Sequence, residues 1–135
     1  MIFLDSAAIV KMIRREAESA ALEAWLTQQT DKGLVVSALV LTEVPRALRR
    51  SDPGRLAAVP TVLARLDRVP VDETVLATAA AYGDPMLRTL DAIHLATAQS
   101  LVLEGIELTA LVTYDKRLLS AAADIGLPTA APGAE

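Results

Sequence analysis

Four acidic residues stand in settings that could serve chemistry: Asp5, Glu43, Asp91 and Asp115. Asp5 follows a short apolar run, Glu43 lies within SALVLTEVPRAL, Asp91 opens DAIHLATA, and Asp115 follows LVTY. Each alone has a plain structural reading. Asp5 and Asp115 can cap helices, and Glu43 can lie on a solvated face. Asp91 can favour a helix N-terminus, a benefit of about 0.3–1 kcal/mol. Together they point elsewhere. Carboxylates that converge in a partly desolvated cleft repel one another, so they must take up protons or bind cations. The chain has no cysteine and one histidine, His94. That composition excludes a thiolate site, a two-histidine nuclease and a typical zinc hydrolase. Hard carboxylate oxygens suit Mg2+ or Mn2+. Such ions activate water and stabilise the leaving oxygen of a phosphodiester. His94, one turn after Asp91, is read as a supporting or packing residue rather than a ligand.

The elements that must position these acids follow from periodicity. Residues 2–4 read as a buried strand feeding a turn at Asp5 and Ser6, with a helix to about residue 15. Further helices are expected over 18–29, from Ser37 through Leu48, over 53–66, 72–82, 89–103 and 116–125. Strands are expected over 33–36, 69–71 and 108–113, with an edge strand over 128–130. Ser37 and Asp72 are natural N-caps, and Gly105 and Gly126 natural stops. Pro45 conflicts with a helix from Ser37, because it removes an interior hydrogen bond; a kink or a broken start is expected there. Strands alternating with helices imply an α/β domain with a mainly parallel sheet. Ligands then bind beyond the carboxyl ends of the strands, where Asp5, Glu43 and Asp115 all fall.

Bulk composition sets limits. The 135 residues fit one domain, read as 1–132 with a loose tail over 133–135. Hydrophobic residues make up 53% and aromatic ones 3%, so the core must be mostly Ala, Leu and Val. No apolar run approaches the roughly 20 residues that span a bilayer, and the start lacks a signal-peptide core. The expectation is a soluble cytoplasmic protein with no membrane partner. The net charge of −4 runs against nucleic-acid binding. Two basic clusters offset it: Lys11, Arg14 and Arg15, and Arg46, Arg49, Arg50 and Arg55. Lys11 and Arg46 are candidate contacts to RNA phosphates.

These same segments resemble a known family. MIFLDSAAIVK looks like the opening of a PIN domain, and SALVLTEVPRAL carries the second acid in the expected setting. LRTLDAIHLATA and LVTYDKRLLSAAADIGLPTAAPG are similar to the third and fourth motifs. Together the motifs span residues 1–133 in the right order. The resemblance is to the VapC group of PIN-domain toxins. It implies a five-stranded, mainly parallel sheet in an α/β/α sandwich. It also implies an endoribonuclease dependent on Mg2+ or Mn2+, cutting structured RNA, often as a homodimer, and neutralised by a VapB-type antitoxin lying across its groove. Asp5, Glu43, Asp91 and Asp115 would be the acidic set, with Ser6 and Thr113 as hydrogen-bonding support. Arg88 matches a family position, and a salt bridge is its simplest role.

Two other functions compete. A haloacid-dehalogenase-like phosphatase also begins with an Asp after its first strand. It needs a second acid two residues later, where Ala7 stands. A PIN-like domain that binds RNA or protein without cutting would look the same, but all four acids are present.

Overall fold

The computed structural model describes residues 1–134; Glu135, the end of the expected tail, lies outside the described residues. Five short strands form one sheet: β1 (Ile2–Leu4), β2 (Leu34–Ser37), β3 (Asp67–Val69), β4 (Ala110–Val112) and β5 (Thr129–Ala130). Their order is β3-β2-β1-β4-β5, and every neighbouring pair runs parallel. Alternate strand side chains face opposite ways, and the core divides accordingly. Ile2, Leu4, Val36 and Val112 pack with α1 (Ser6–Ile13), α2 (Ser19–Thr27), α3 (Val40–Ser51) and α4 (Val59–Leu63). Phe3, Val35 and Leu111 pack on the other face with α6 (Thr89–Leu103) and α7 (Lys116–Asp124). Val75 of α5 (Glu73–Ala81) packs with Ile93 and Ala96 of α6. The expected three-layer α/β/α architecture is the one that forms.

Strand order explains where a ligand belongs. The chain builds outward from β1 through β2 to β3, then returns to add β4 on the other side of β1. The crossovers therefore reverse direction between β1 and β4, which opens a crevice at their carboxyl ends. Asp5 and Thr113 are the first residues past those two strands.

Several boundaries differ from the sequence expectation, each for a local reason. Ser37 ends β2 instead of capping a helix; its Oγ accepts from Leu39 N at 3.2 Å, a side-chain turn at the strand exit. β3 begins at Asp67, two residues before the apolar pair Val69 and Val71 that suggested it. Pairing with β2 sets its register, and as an edge strand it tolerates exposed Asp67 and Arg68. The stretch 53–66 splits into a 3-10 turn (Pro53–Ala58) and α4, with a proline near each start, where a missing N–H costs little. Pro45 lies well inside α3, and the helix runs unbroken across it. The carbonyl it leaves without a donor belongs to Leu41, which is exposed, so water can take that bond. Residues 92–98 of α6 are all buried, so this helix is a core element rather than an amphipathic one. Leu90, in its first turn, is 47% exposed. At the C-terminal end, Tyr114 donates to the Pro132 carbonyl at 2.9 Å, and Gly133 comes so close to α2 that a Cβ would lie 2.8 Å from Ala21 Cβ.

Candidate active site

Asp5 leaves β1 in an extended conformation and caps α1, where Oδ1 accepts from Ala8 N at 2.9 Å. Its Oδ2 accepts from the Thr113 hydroxyl. Both groups are buried. Burial raises the Asp5 carboxyl above its ordinary range despite the donors from Thr113 and Ala8, and the nearby charge of Asp91 adds to the rise. Thr113 Oγ1 also accepts from Asp115 N at 3.1 Å, so one hydroxyl ties the exits of β1 and β4 together.

Asp115 caps α7. Its Oδ1 accepts from Arg117 N at 2.9 Å and Leu118 N at 3.1 Å, and its Oδ2 from Arg88 Nη2 at 3.0 Å. Asp91 lies in the first turn of α6, with Oδ2 3.6 Å from Arg88 Nε. Burial and the charge of Asp115 raise the Asp91 carboxyl, and Arg88 offsets only part of that. The capping readings of Asp5 and Asp115 are therefore correct, and each cap uses one oxygen and leaves the other facing the site.

Glu43 comes from α3. Its Oε1 accepts from Ser6 Oγ at 2.7 Å and lies 2.6 Å from His94 Nε2. Burial pushes this carboxyl up, but the hydrogen bonds from His94 and Ser6 outweigh it and hold Glu43 below its ordinary value. His94 is 1% exposed, edge-on to Phe3, and its buried Nδ1 has no hydrogen-bond partner. A carboxylate acceptor requires the ring hydrogen on Nε2. His94 thus supports Glu43 from inside the core, in line with the expected role.

All four acids stand at one edge of the sheet, where Asp91 feels the charges of Asp115 and Glu43, and Asp5 that of Asp91. Among the described residues, no three Asp, Glu or His groups are close enough to hold one ion. Each carboxylate is turned instead to a protein donor: Thr113, Ser6 and His94, or Arg88. The chemistry of the set nonetheless suits a hard divalent cation. All the donors are oxygens, two of the acids are pushed toward protonation, and a guanidinium already sits as a cation against Asp91 and Asp115.

A groove of ≈ 510 Å³ adjoins the acids, lined by Ser6, Val10, Glu43, Arg46, Arg50, Arg88 and Leu90 among others. Arg46 is thus part of the groove wall. Arg50, one turn on along α3, joins it, and the i, i+4 spacing could have signalled this. Lys11 is placed differently. Its ammonium pairs with Glu16 at 3.2 Å and Glu18 at 3.0 Å, lies 4.8 Å from the Tyr114 ring centre, and its side chain is 12% exposed. It could reach a phosphate only by breaking two ion pairs, so the structure argues against Lys11 in that role.

Residues 2–124 match the family description "PIN domain". The chain belongs to the PIN-domain family. This PIN-domain chain is 53% identical over 133 residues to Ribonuclease VapC35 of Mycobacterium tuberculosis, covering 98% of each chain. Among solved structures it is similar to VapC20 of Mycobacterium tuberculosis, described as a sarcin–ricin-loop-cleaving toxin. The TM-score is 0.69 and the identity 15%, over 98% of this chain and 100% of that one. It is also similar to FitAcB of Neisseria gonorrhoeae, with a TM-score of 0.71 and 20% identity over 98% of each chain. At such identities the two structures speak to the fold alone. Membership of the PIN family leaves the phosphatase reading without support.

Proposed function

We propose that this chain is an endoribonuclease requiring Mg2+ or Mn2+, and that it acts as the toxin of a VapBC-type toxin–antitoxin pair. The observation that carries the reading is a shared edge: Asp5, Glu43, Asp91 and Asp115 flank the β1–β4 crevice, beside a groove walled by Arg46 and Arg50. The likeness to Ribonuclease VapC35 over nearly the whole of both chains supports it.

Asp5, Asp91, Asp115 and Glu43 would hold the ion. When bound, such an ion lowers the pKa of water and offsets the charge of a phosphodiester. The remaining work belongs to the chain. Thr113 and Ser6 orient Asp5 and Glu43, Arg46 and Arg50 take up flanking phosphates, and Leu90 offers apolar surface in the same groove. The partners in this reading are structured RNA and a VapB-type antitoxin laid along the groove. A homodimer belongs to the same reading, with Leu41, Leu76 and Met86, large apolar side chains left 46–61% exposed, as surface available to it. We place the protein in the cytoplasm. Its lack of cysteine suits a reducing compartment, and no described helix is long and apolar enough to cross a membrane. Residues 1–132 are read as a single domain, in keeping with the family match over 2–124.

The test is cleavage of structured RNA in EDTA and in Mg2+ or Mn2+, with 5′-end mapping and an Asp5→Ala control. Cuts that need both metal and Asp5 are expected. RNA binding that is indifferent to metal and unaccompanied by cleavage would replace the nuclease with a non-catalytic binder.

A further inference from the structure

Among the described residues, Arg88 is the one Lys or Arg paired with Asp91 and Asp115, and its position is odd for a structural arginine. It is the N-cap residue of α6, and its side chain makes no capping hydrogen bond. Its guanidinium reaches Asp115, the N-cap of α7. It therefore lies at the N-terminal ends of two helices, where the helix dipoles disfavour positive charge. The carboxylates of Asp91 and Asp115 counter that.

Both contacts are built to yield. Nη2 meets Asp115 at 3.0 Å and Nε is 3.6 Å from Asp91, one contact to each rather than a two-pronged clamp. The Arg88 side chain is 65% exposed, while Asp91 and Asp115 are 19% and 21% exposed. Exposed ion pairs hold weakly, and a side chain this open can swing away without uncovering core. The oxygens in use also matter. Asp115 Oδ1 is committed to the first turn of α7, so Oδ2 is the oxygen it can offer a metal, and Oδ2 is the one Arg88 occupies. Arg88 also lines the groove with Arg46 and Arg50, which gives it somewhere to go.

We propose that Arg88 is an internal counter-cation: it neutralises Asp91 and Asp115 in the metal-free protein and is expelled toward the groove when a divalent ion takes the same oxygens. Metal loading would thereby free a third guanidinium on the wall that faces RNA phosphates. The inference rests on the metal-dependent reading above, and it concerns which positive charge the two acids carry at each stage.

The test follows the arginine itself in the full-length protein. The side-chain Nε–H resonance of Arg88, assigned by its loss in Arg88→Gln, is recorded in EDTA and through a Mg2+ titration. Thermal unfolding of wild type, Arg88→Gln and Arg88→Lys is measured under the same conditions. The expected result is that the resonance moves to the position of a solvated arginine with the midpoint of Mg2+ binding. Arg88→Gln should melt lower than wild type in EDTA, lose that deficit in saturating Mg2+, and bind Mg2+ on the order of two- to tenfold tighter. Arg88→Lys should fall between the two. A resonance that keeps its metal-free position at saturating Mg2+, or a melting deficit that Mg2+ leaves unchanged, overturns the proposal while sparing the metal site. If Mg2+ and Mn2+ shift the melting of none of the three proteins, the metal reading fails and this inference with it.

Discussion

Asp5 and Glu43 lean on donors locked into the fold, whereas Asp91 and Asp115 share a largely exposed guanidinium. The first pair draws on Thr113, the Ala8 amide, Ser6 and buried His94. Such donors fix where a carboxylate points without supplying a mobile charge. The guanidinium does the reverse: it supplies charge and fixes little. The inner half of the site is thus set by folding alone, whereas in the outer half the backbone fixes only Asp115 Oδ1, and the remaining charge is balanced by a cation that can be exchanged.

The largest expected effect is on activity and should be shared by both halves. Asp5→Asn and Asp91→Asn should each cut the RNA cleavage rate in Mg2+ by about 10²–10³-fold, the scale for losing a group aimed at transition-state charge. Circular dichroism should show the fold intact, because the amide oxygen that replaces the Asp5 carboxylate can still accept from Ala8 N. Wild-type rates in Asp91→Asn would break the pairing of the two halves.

Stability should then separate them. Thr113→Val leaves Asp5 Oδ2 buried without its donor and should cost about 1–3 kcal/mol by urea unfolding. Arg88→Gln, on the exposed side, should cost under about 1 kcal/mol in the same assay. Equal costs would erase the distinction.

The pH dependence sharpens the contrast, because Asp91 and Glu43 are shifted in opposite directions. The Asp91 carboxyl lies above its ordinary 3.8 in the folded protein. Below 3.8 it is protonated folded and unfolded, so Asp91→Asn changes little. As pH rises through the raised value, wild type must ionise at a cost that Asn does not bear. In EDTA the melting temperature of Asp91→Asn relative to wild type should therefore climb with pH. The Glu43 carboxyl lies below its ordinary 4.5, so its contribution is present above 4.5 and is lost as pH falls through the lowered value. The deficit of Glu43→Gln should shrink on acidification. Two curves of the same sign would contradict the assignment.

The smallest effect belongs to the groove wall. Arg46→Ala should lower the slope of log affinity against log salt for RNA by about 0.7, with a few-fold loss of binding.

Local features of the fold are legible in the sequence and paired ones are not. The buried strand before Asp5, the cap at Asp72 and the long helix over 89–103 are written in adjacent residues. β3 is displaced because the apolar signal of Val69 and Val71 is weaker than pairing with β2, which no local pattern encodes. The four acids can be picked out, but their partners cannot. Glu43 meets His94 across 51 positions, and Arg88 meets Asp115 across 27. Lys11 is the instructive miss. Glu16 and Glu18 stand in plain view five and seven positions on, but the turn after Ile13 that folds them back onto the ammonium does not.

The hydrogen bond from Thr113 to Asp5 joins residues 108 positions apart. Asp5 leaves the ribosome long before the strand that brings its hydroxyl partner is made. A nascent chain stalled short of β4, or a fragment clipped before it, carries the first acid with neither Thr113 nor Asp115 beside it. On the proposed function, the cell making this protein is shielded by chain order itself: a destructive centre cannot come together until β4 has been made, which is also when an antitoxin must be at hand.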